Sequence, residues 1–166
     1  MTHLVIIVLS LVLTSSIRAN DPDKVRSAFM LATQDLDARA ELVERLTTNH
    51  GGDASFRSAY LGASLTLLAE CSVAPWTKFN QFVQGSELLE EAIAAKPNEA
   101  EFRYLRFLIQ INAPSFLNYD DNLQEDYIAI NNTLQNSTEE ALWMQHYRSF
   151  EKEHSPLIRK QVDTAY

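Results

Sequence analysis

A chain of 166 residues with a formal net charge of −8 is long enough for one compact domain. Its acidic residues repel phosphate backbones and no basic cluster offsets them, so we expect no nucleic-acid partner. Cys71, the single cysteine, excludes an internal disulfide, and its apolar neighbours predict a buried thiol.

The first nineteen residues have the pattern of a secretory signal peptide. A largely apolar run over residues 4–13 is followed by small residues and by Ala19, after which we expect cleavage. The run is too short to cross a bilayer as a helix, and its retention as an N-terminal anchor is the alternative. The pattern predicts an exported protein, periplasmic or secreted. The mature domain is then residues 20–166, with no membrane span after cleavage.

Helical periodicity runs through the rest of the chain, and strand-type alternation is absent. Asp21-Pro22 marks the first helix start, and Gly51-Gly52 allows a left-handed helix end. The capping box Ser137-x-x-Glu140 is expected to open the last long helix. Pro156 would end that helix or start a last short one. The predicted helices before it span about 22–34, 37–48, 54–70, 78–96, 99–112 and 121–134. The fold class is therefore all-α, one domain of about six to seven helices in antiparallel hairpins.

The fifth predicted helix carries the most distinctive pattern. Residues 101–111 are apolar on most of the helix circumference, except for Arg103, Arg106 and Gln110. These three lie at i, i+3 and i+7 and line up as one polar stripe. A helix that is apolar nearly all round belongs in an interior, where an unpaired charge is costly. The arginines therefore either pair within the fold or form a fork for a carboxylate on a partner or ligand.

Aromatic residues that follow prolines extend this candidate site. Trp76 lies after Pro75, and Phe116 and Tyr119 lie after Pro114, all in predicted loops. Aromatic side chains beside arginine are typical of recognition surfaces. The predicted binding residues are Arg103, Arg106, Gln110, Trp76, Phe116 and Tyr119.

The structural alternative assigns the same residues to the interior. Arg103 or Arg106 would pair with Glu90, Asp126 or a loop carbonyl. The aromatic rings would cap helix ends. The sequence leaves both interpretations open.

Catalytic patterns are absent from the sequence. The histidines have no spacing that would bring several metal ligands together. There is no nucleophile elbow and no phosphate-binding glycine loop. We predict no catalytic residue, no metal site and no cofactor.

Residues 54–135 resemble a degenerate tetratricopeptide array. Gly62 and Ala63 stand at mid-helix positions where small residues let another helix approach closely. The distance along the chain from the glycine to the closing proline is longer than in a regular repeat. The matching residues are Leu61, Gly62, Gly85, Leu89, Ala92 and Pro97. The resemblance implies paired helices and a concave binding face.

Three motifs also resemble a group of small exported helical proteins of Gram-negative bacteria. They are F-x-x-G-x-x-L-L-E-x-A-I at 82–93, E-x-R-Y-L-R-F-x-I-Q at 101–110 and P-x-F-L-N-Y at 114–119. No reaction is assigned to that group, so the resemblance implies export and a helical fold alone.

Three functional hypotheses follow from these patterns. The first is a non-enzymatic, exported, repeat-like domain that binds a protein or peptide partner in the cell envelope. The second is a small-ligand-binding protein or enzyme with a site assembled between helices, which predicts a deep pocket lined by ionisable groups. The third is a structural subunit of an envelope assembly.

Overall fold

The computed structural model describes residues 21–164, and every regular element in that range is helical. An all-α domain of seven helices in a packed array is therefore confirmed. The signal-peptide prediction lies outside the described residues. The helices are α1 Pro22–Ala32, α2 Leu36–Thr48, α3 Ala54–Cys71, α4 Pro75–Ala95, α5 Ala100–Asn112, α6 Leu123–Asn136 and α7 Leu142–Thr164, with a short 3-10 helix at Ser115–Leu117.

The closest helix pair is α3 with α4, which meet along much of their length. A Cβ atom placed on Gly62 would lie 2.5 Å from the carbonyl oxygen of Gly85, and one on Gly85 would lie 2.6 Å from the oxygen of Gly62. Real Cβ atoms essentially never come that close to another atom, so only glycine fits at either position. The predicted close approach at Gly62 is confirmed.

Helix α5 lies at the centre of the array and packs against α3, α4, α6 and α7. Eleven of its thirteen residues are buried, as its nearly continuous apolar surface predicts. Phe102, Leu105 and Phe107 are fully enclosed, and each such side chain contributes roughly 1.5–3 kcal/mol relative to leaving it in water. Because α5 contacts four other helices, it fixes their positions relative to one another.

The first and last helices meet. Helix α1 packs on α7, and Val25 and Phe29 of α1 share one core cluster with Ile158 and Val162 of α7. The described residues therefore enclose one continuous core.

Two details at the junction of α3 and α4 differ from expectation. Helix α4 begins at Pro75, so Trp76 lies in the first helical turn and not in a loop. Proline suits this position because its fixed φ is helical and its missing N–H would have no partner there. Cys71 is exposed and not buried, because it is the last residue of α3. Its Sγ accepts a hydrogen bond from Arg39 Nη1 at 3.1 Å.

Two predicted signals around α7 were wrong. Ser137 ends α6, donating its backbone N–H to Thr133, and its hydroxyl bonds only to Glu139 in the following turn. The capping box does not form because α6 runs as far as Asn136 and α7 starts at Leu142. Pro156 lies inside α7, so it neither ends this helix nor starts a separate short one. Burial of residues beyond the proline, such as Ile158, offsets the lost helical hydrogen bond.

Candidate functional site

The arginines of the polar stripe are paired within the fold. Arg106 binds Asp126 through two parallel hydrogen bonds, Nε to Oδ2 at 2.7 Å and Nη2 to Oδ1 at 2.8 Å. Its Nη1 also lies 2.6 Å from Glu90 Oε2. Asp126 is fully buried, and the bidentate geometry is the strong form of this pair.

Arg103 joins the same network from the outer side of α5. Its Nη1 lies 2.8 Å from Glu125 and 3.1 Å from Asp126, and its Nε donates to the Pro97 carbonyl at 3.1 Å. The internal partners suggested by the sequence are thus present: Glu90, Asp126 and a loop carbonyl. Glu125 is an additional partner that the sequence did not suggest. A ligand carboxylate would have to displace them.

Tyr119 and Gln110 occupy different surroundings. The Tyr119 hydroxyl donates to Glu90 at 2.6 Å, and burial together with this bond raises the pKa of Tyr119. Its ring packs edge-on against Phe82 at 5.6 Å. Gln110 is buried and its Oε1 has no hydrogen-bond partner among the described residues. Of the stripe, only this amide oxygen remains unsatisfied.

A second buried ion pair, not predicted from the sequence, joins α1 to α5. Glu101 accepts two hydrogen bonds from Arg26, at 2.7 and 2.6 Å, and one from the Tyr60 hydroxyl at 2.6 Å. Burial raises the pKa of Tyr60 well above its usual value, so its hydroxyl stays a donor. This network ties α1 and α3 to α5. Its partners are 75 and 41 residues from Glu101 in the chain, which is why no local pattern revealed it.

The described part of the chain contains a half-open groove of about 740 Å³. It lies where the ends of α1, α3, α4 and α5, the 3-10 helix and the middle of α7 converge. Five phenylalanines dominate the lining. They are Phe29, Phe79, Phe82, Phe116 and Phe150. We call this cavity the apolar groove.

Exposed aromatic side chains surround the mouth of the apolar groove. Phe116 is 81% exposed and Phe79 is 48% exposed, although both line the cavity. Trp76 is 74% exposed, and its ring centroid lies 6.4 Å from that of Phe79. Of the binding residues predicted from the sequence, Phe116 lines the groove. Trp76 lies beside the lining residue Phe79 but does not itself line the groove. Arg103, Arg106, Gln110 and Tyr119 do not line it either.

One wall of the apolar groove is polar. His146, Ser149, Glu153 and His154 line it from a single face of α7, at i, i+3, i+7 and i+8. His154 stacks on Phe150 with ring centroids 4.3 Å apart. This wall was not predicted from the sequence. His146 and His154 lie at i−4 and i+4 from Phe150, and this helical spacing places all three on one face of α7.

His146 is held by the core. Its Nδ1 is hydrogen-bonded to the hydroxyl of Tyr104, a buried residue of α5. Burial lowers the pKa of His146, so the imidazole is neutral at pH 7. The ring is therefore a fixed, uncharged polar group in a largely apolar cavity.

Residues 21–164 hold no cluster of three or more His, Cys, Asp or Glu side chains placed to hold a metal ion. None of the helices in this range is long and apolar enough to cross a membrane.

Comparisons with protein-family models, with curated protein sequences and with solved structures gave no match to this chain. The tetratricopeptide resemblance and the likeness to small exported bacterial proteins thus stay predictions. Fold and cavity together define a helical domain with one large apolar groove.

Proposed function

We propose that this chain is a non-enzymatic, exported binding protein whose apolar groove takes an amphipathic segment of a partner protein in the cell envelope. The observation that carries the proposal is the phenylalanine-lined groove of about 740 Å³, bordered by the exposed rings of Trp76, Phe79 and Phe116.

Exposed aromatic clusters favour recognition of a protein surface. Large apolar side chains left in water lose the roughly 25 cal/mol per Å² that burial supplies. Contiguous patches of this kind mark interaction sites, and aromatic anchors dominate interface energies. A partner that covers Trp76, Phe79 and Phe116 would recover this free energy.

The two-sided lining of the groove favours an amphipathic occupant. Phe79 and Phe82 of α4 and Phe116 of the 3-10 helix give an apolar wall, whereas His146 and Glu153 of α7 give a polar one. An amphipathic helix matches such a groove by placing apolar anchors on one side and polar groups on the other.

The charge of the domain favours basic residues on that occupant. The chain carries a net charge of −8, which steers basic partners towards it. Glu153 lines the groove and makes no ion pair within the described residues, whereas Glu70 is already paired with Arg39 at 3.1 Å. Lys78 is the single lysine or arginine of the lining. Glu153 is thus the carboxylate available to a basic partner.

A phage-displayed library of random peptides tests the proposal. We expect selection on the purified domain to enrich amphipathic peptides with apolar residues at i, i+3, i+4 and i+7. The double variant Phe79→Ser, Phe116→Ser should bind them at least about tenfold more weakly, because two anchors are lost. Ile128→Ser is the matched control, since Ile128 is 51% exposed on α6 and lies outside the groove. Enrichment of no peptide, or equal binding by the double variant, contradicts the proposal.

A small amphipathic molecule is the second candidate occupant. The groove volume of about 740 Å³ falls in the range of small-molecule sites, roughly 300–1,000 Å³. The ionisable lining residues Glu70, Lys78 and Glu153 agree with the pocket expected for this hypothesis. A dansyl-labelled fatty acid is a direct probe. Saturable binding that the double variant loses and Ile128→Ser keeps, without peptide enrichment, would favour this candidate.

A further inference from the structure

We propose that His146 is a specificity-determining residue of the apolar groove, donating a hydrogen bond from Nε2 to an acceptor oxygen of the bound segment, with Tyr104 as its positioning residue. This inference rests on the proposed function, since it names the polar contact by which the groove recognises a peptide. The acceptor is a backbone carbonyl oxygen of the occupant.

The first step is the tautomer of His146. The Tyr104 hydroxyl is buried, and its one hydrogen-bond partner among the described residues is His146 Nδ1. A buried hydroxyl proton needs an acceptor, so Nδ1 accepts it through its lone pair. Burial keeps Tyr104 protonated by raising its pKa well above the usual value. The imidazole proton is therefore on Nε2.

The second step is the orientation of the ring. His146 stands edge-on to Tyr104, with centroids 6.0 Å apart and an interplanar angle of 86°. Tyr104 is in turn packed by Trp143 and Tyr147, at 5.5 and 6.2 Å. These contacts fix the ring on which the donor sits, so little freedom is lost when a ligand binds.

The third step is the direction of the free nitrogen. His146 lines the apolar groove, and Nε2 makes no hydrogen bond to any residue in 21–164. Nor is Nε2 among the side-chain atoms sealed from solvent without a partner. Solvent can therefore reach this donor while the groove is empty. An occupant that covers Nε2 must supply an acceptor, because an unpaired buried donor is unfavourable.

A neutral donor suits a peptide carbonyl. Burial lowers the pKa of His146, so Nε2–H offers a hydrogen bond without a charge. A peptide laid along α7 presents carbonyl oxygens to its wall wherever its own helix is irregular or ends. Glu153, on the same wall, cannot serve such a carbonyl because an ionised carboxylate only accepts.

The variants His146→Asn and His146→Gln separate the two ring nitrogens. Asparagine keeps an acceptor near the Nδ1 position for Tyr104 but has no donor at the Nε2 position. Glutamine places an amide N–H near that position. With a peptide selected on the wild-type domain, we expect His146→Asn to bind about tenfold more weakly. His146→Gln should recover most of the affinity. A merely structural role for His146, as the acceptor for Tyr104, would reverse this order, with His146→Asn binding better than His146→Gln.

Nuclear magnetic resonance of the unliganded wild-type domain checks the tautomer without any ligand. A long-range ¹H–¹⁵N spectrum should show His146 protonated on Nε2, and Tyr104→Phe should shift it towards a mixture of tautomers. Protonation on Nδ1 in the wild type overturns the inference, as does wild-type affinity in His146→Asn.

The failure modes are distinct. If no selected peptide binds the wild-type domain, the proposed function fails and this inference falls with it. If a peptide binds the wild type and requires Phe79 and Phe116 but ignores His146→Asn, the groove function stands and the role of His146 is wrong.

Discussion

Arg106 and Asp126 face each other across the α5–α6 interface as a bidentate pair, with N···O distances of 2.7 and 2.8 Å. Asp126 is completely enclosed and Arg106 nearly so. Removing one member of a buried pair leaves the other charge without compensation. If either partner is removed, water cannot reach the remaining buried charge to solvate it.

Substitution of Asp126 should therefore be strongly destabilising. We expect Asp126→Ala to lower the free energy of unfolding by about 3–5 kcal/mol, because Arg106 stays buried without its partner. Urea denaturation measures the change. Glu125→Ala is the control, since its carboxylate is exposed and its pair with Arg103 should contribute about 1 kcal/mol or less. Similar losses in the two variants would show that burial of Asp126 is not the cause.

The contact between Gly62 and Gly85 gives a prediction with an unusual sign. By helix propensity alone, Gly62→Ala should stabilise α3 by roughly 1 kcal/mol. The new methyl group would meet the Gly85 carbonyl oxygen at 2.5 Å, and overpacking of this kind costs about 1–3 kcal/mol or more. We expect net destabilisation in thermal unfolding. Ala95→Ser, at an exposed site at the end of α4, should change little. A stabilised Gly62→Ala variant would contradict the observed helix spacing.

Burial of His146 predicts a loss of stability in mild acid. Its pKa is lowered in the fold from about 6.5, so the unfolded chain takes up the proton more readily than the folded one. The contribution is complete above the unfolded value and declines as the pH falls below it. Unfolding by urea at about pH 7.5 and pH 5.5 should show this decline. The decline should be smaller in His146→Gln and unchanged in His50→Gln, since His50 is exposed. Equal slopes in all three proteins would contradict it.

Pro156 offers a stabilising substitution. It lies inside α7 and is exposed, where proline removes a helical hydrogen bond and crowds the preceding turn. Pro156→Ala should raise the free energy of unfolding by about 1–3 kcal/mol, seen as a higher midpoint in thermal unfolding. Lys152→Ala, on the preceding turn of the same helix, controls for general effects of alanine there. An unchanged or lower midpoint would show that α7 relies on the bend at the proline.

Much of the helical architecture could be predicted because it depends on local properties. The apolar circumference of α5 required burial, and burial required partners for Arg103 and Arg106. The acid partners Glu90 and Asp126 could be proposed because they lie on the neighbouring helices. The errors at Ser137 and Pro156 have one origin. A local capping or breaking signal is weaker than the packing of the flanking helices.

The apolar groove could not be predicted in the same way. Its lining runs from Phe29 to His154, and the pairing of Arg26 with Glu101 spans 75 residues. Sequence spacing carries no information about such distances. Phe116 and Trp76 were identified as recognition candidates, but the place of Phe116 in the groove and the polar wall of α7 depend on how six elements converge.

The sequence by itself determined that the domain is helical, that α5 is its interior helix and that the charges on α5 must be paired, because periodicity and desolvation act on each segment separately. Only the tertiary structure decided which carboxylates pair with which arginines, and that five phenylalanines enclose a groove with His146 on its wall. The physical reason is that a cavity is a property of surfaces brought together, and no single helix contains it.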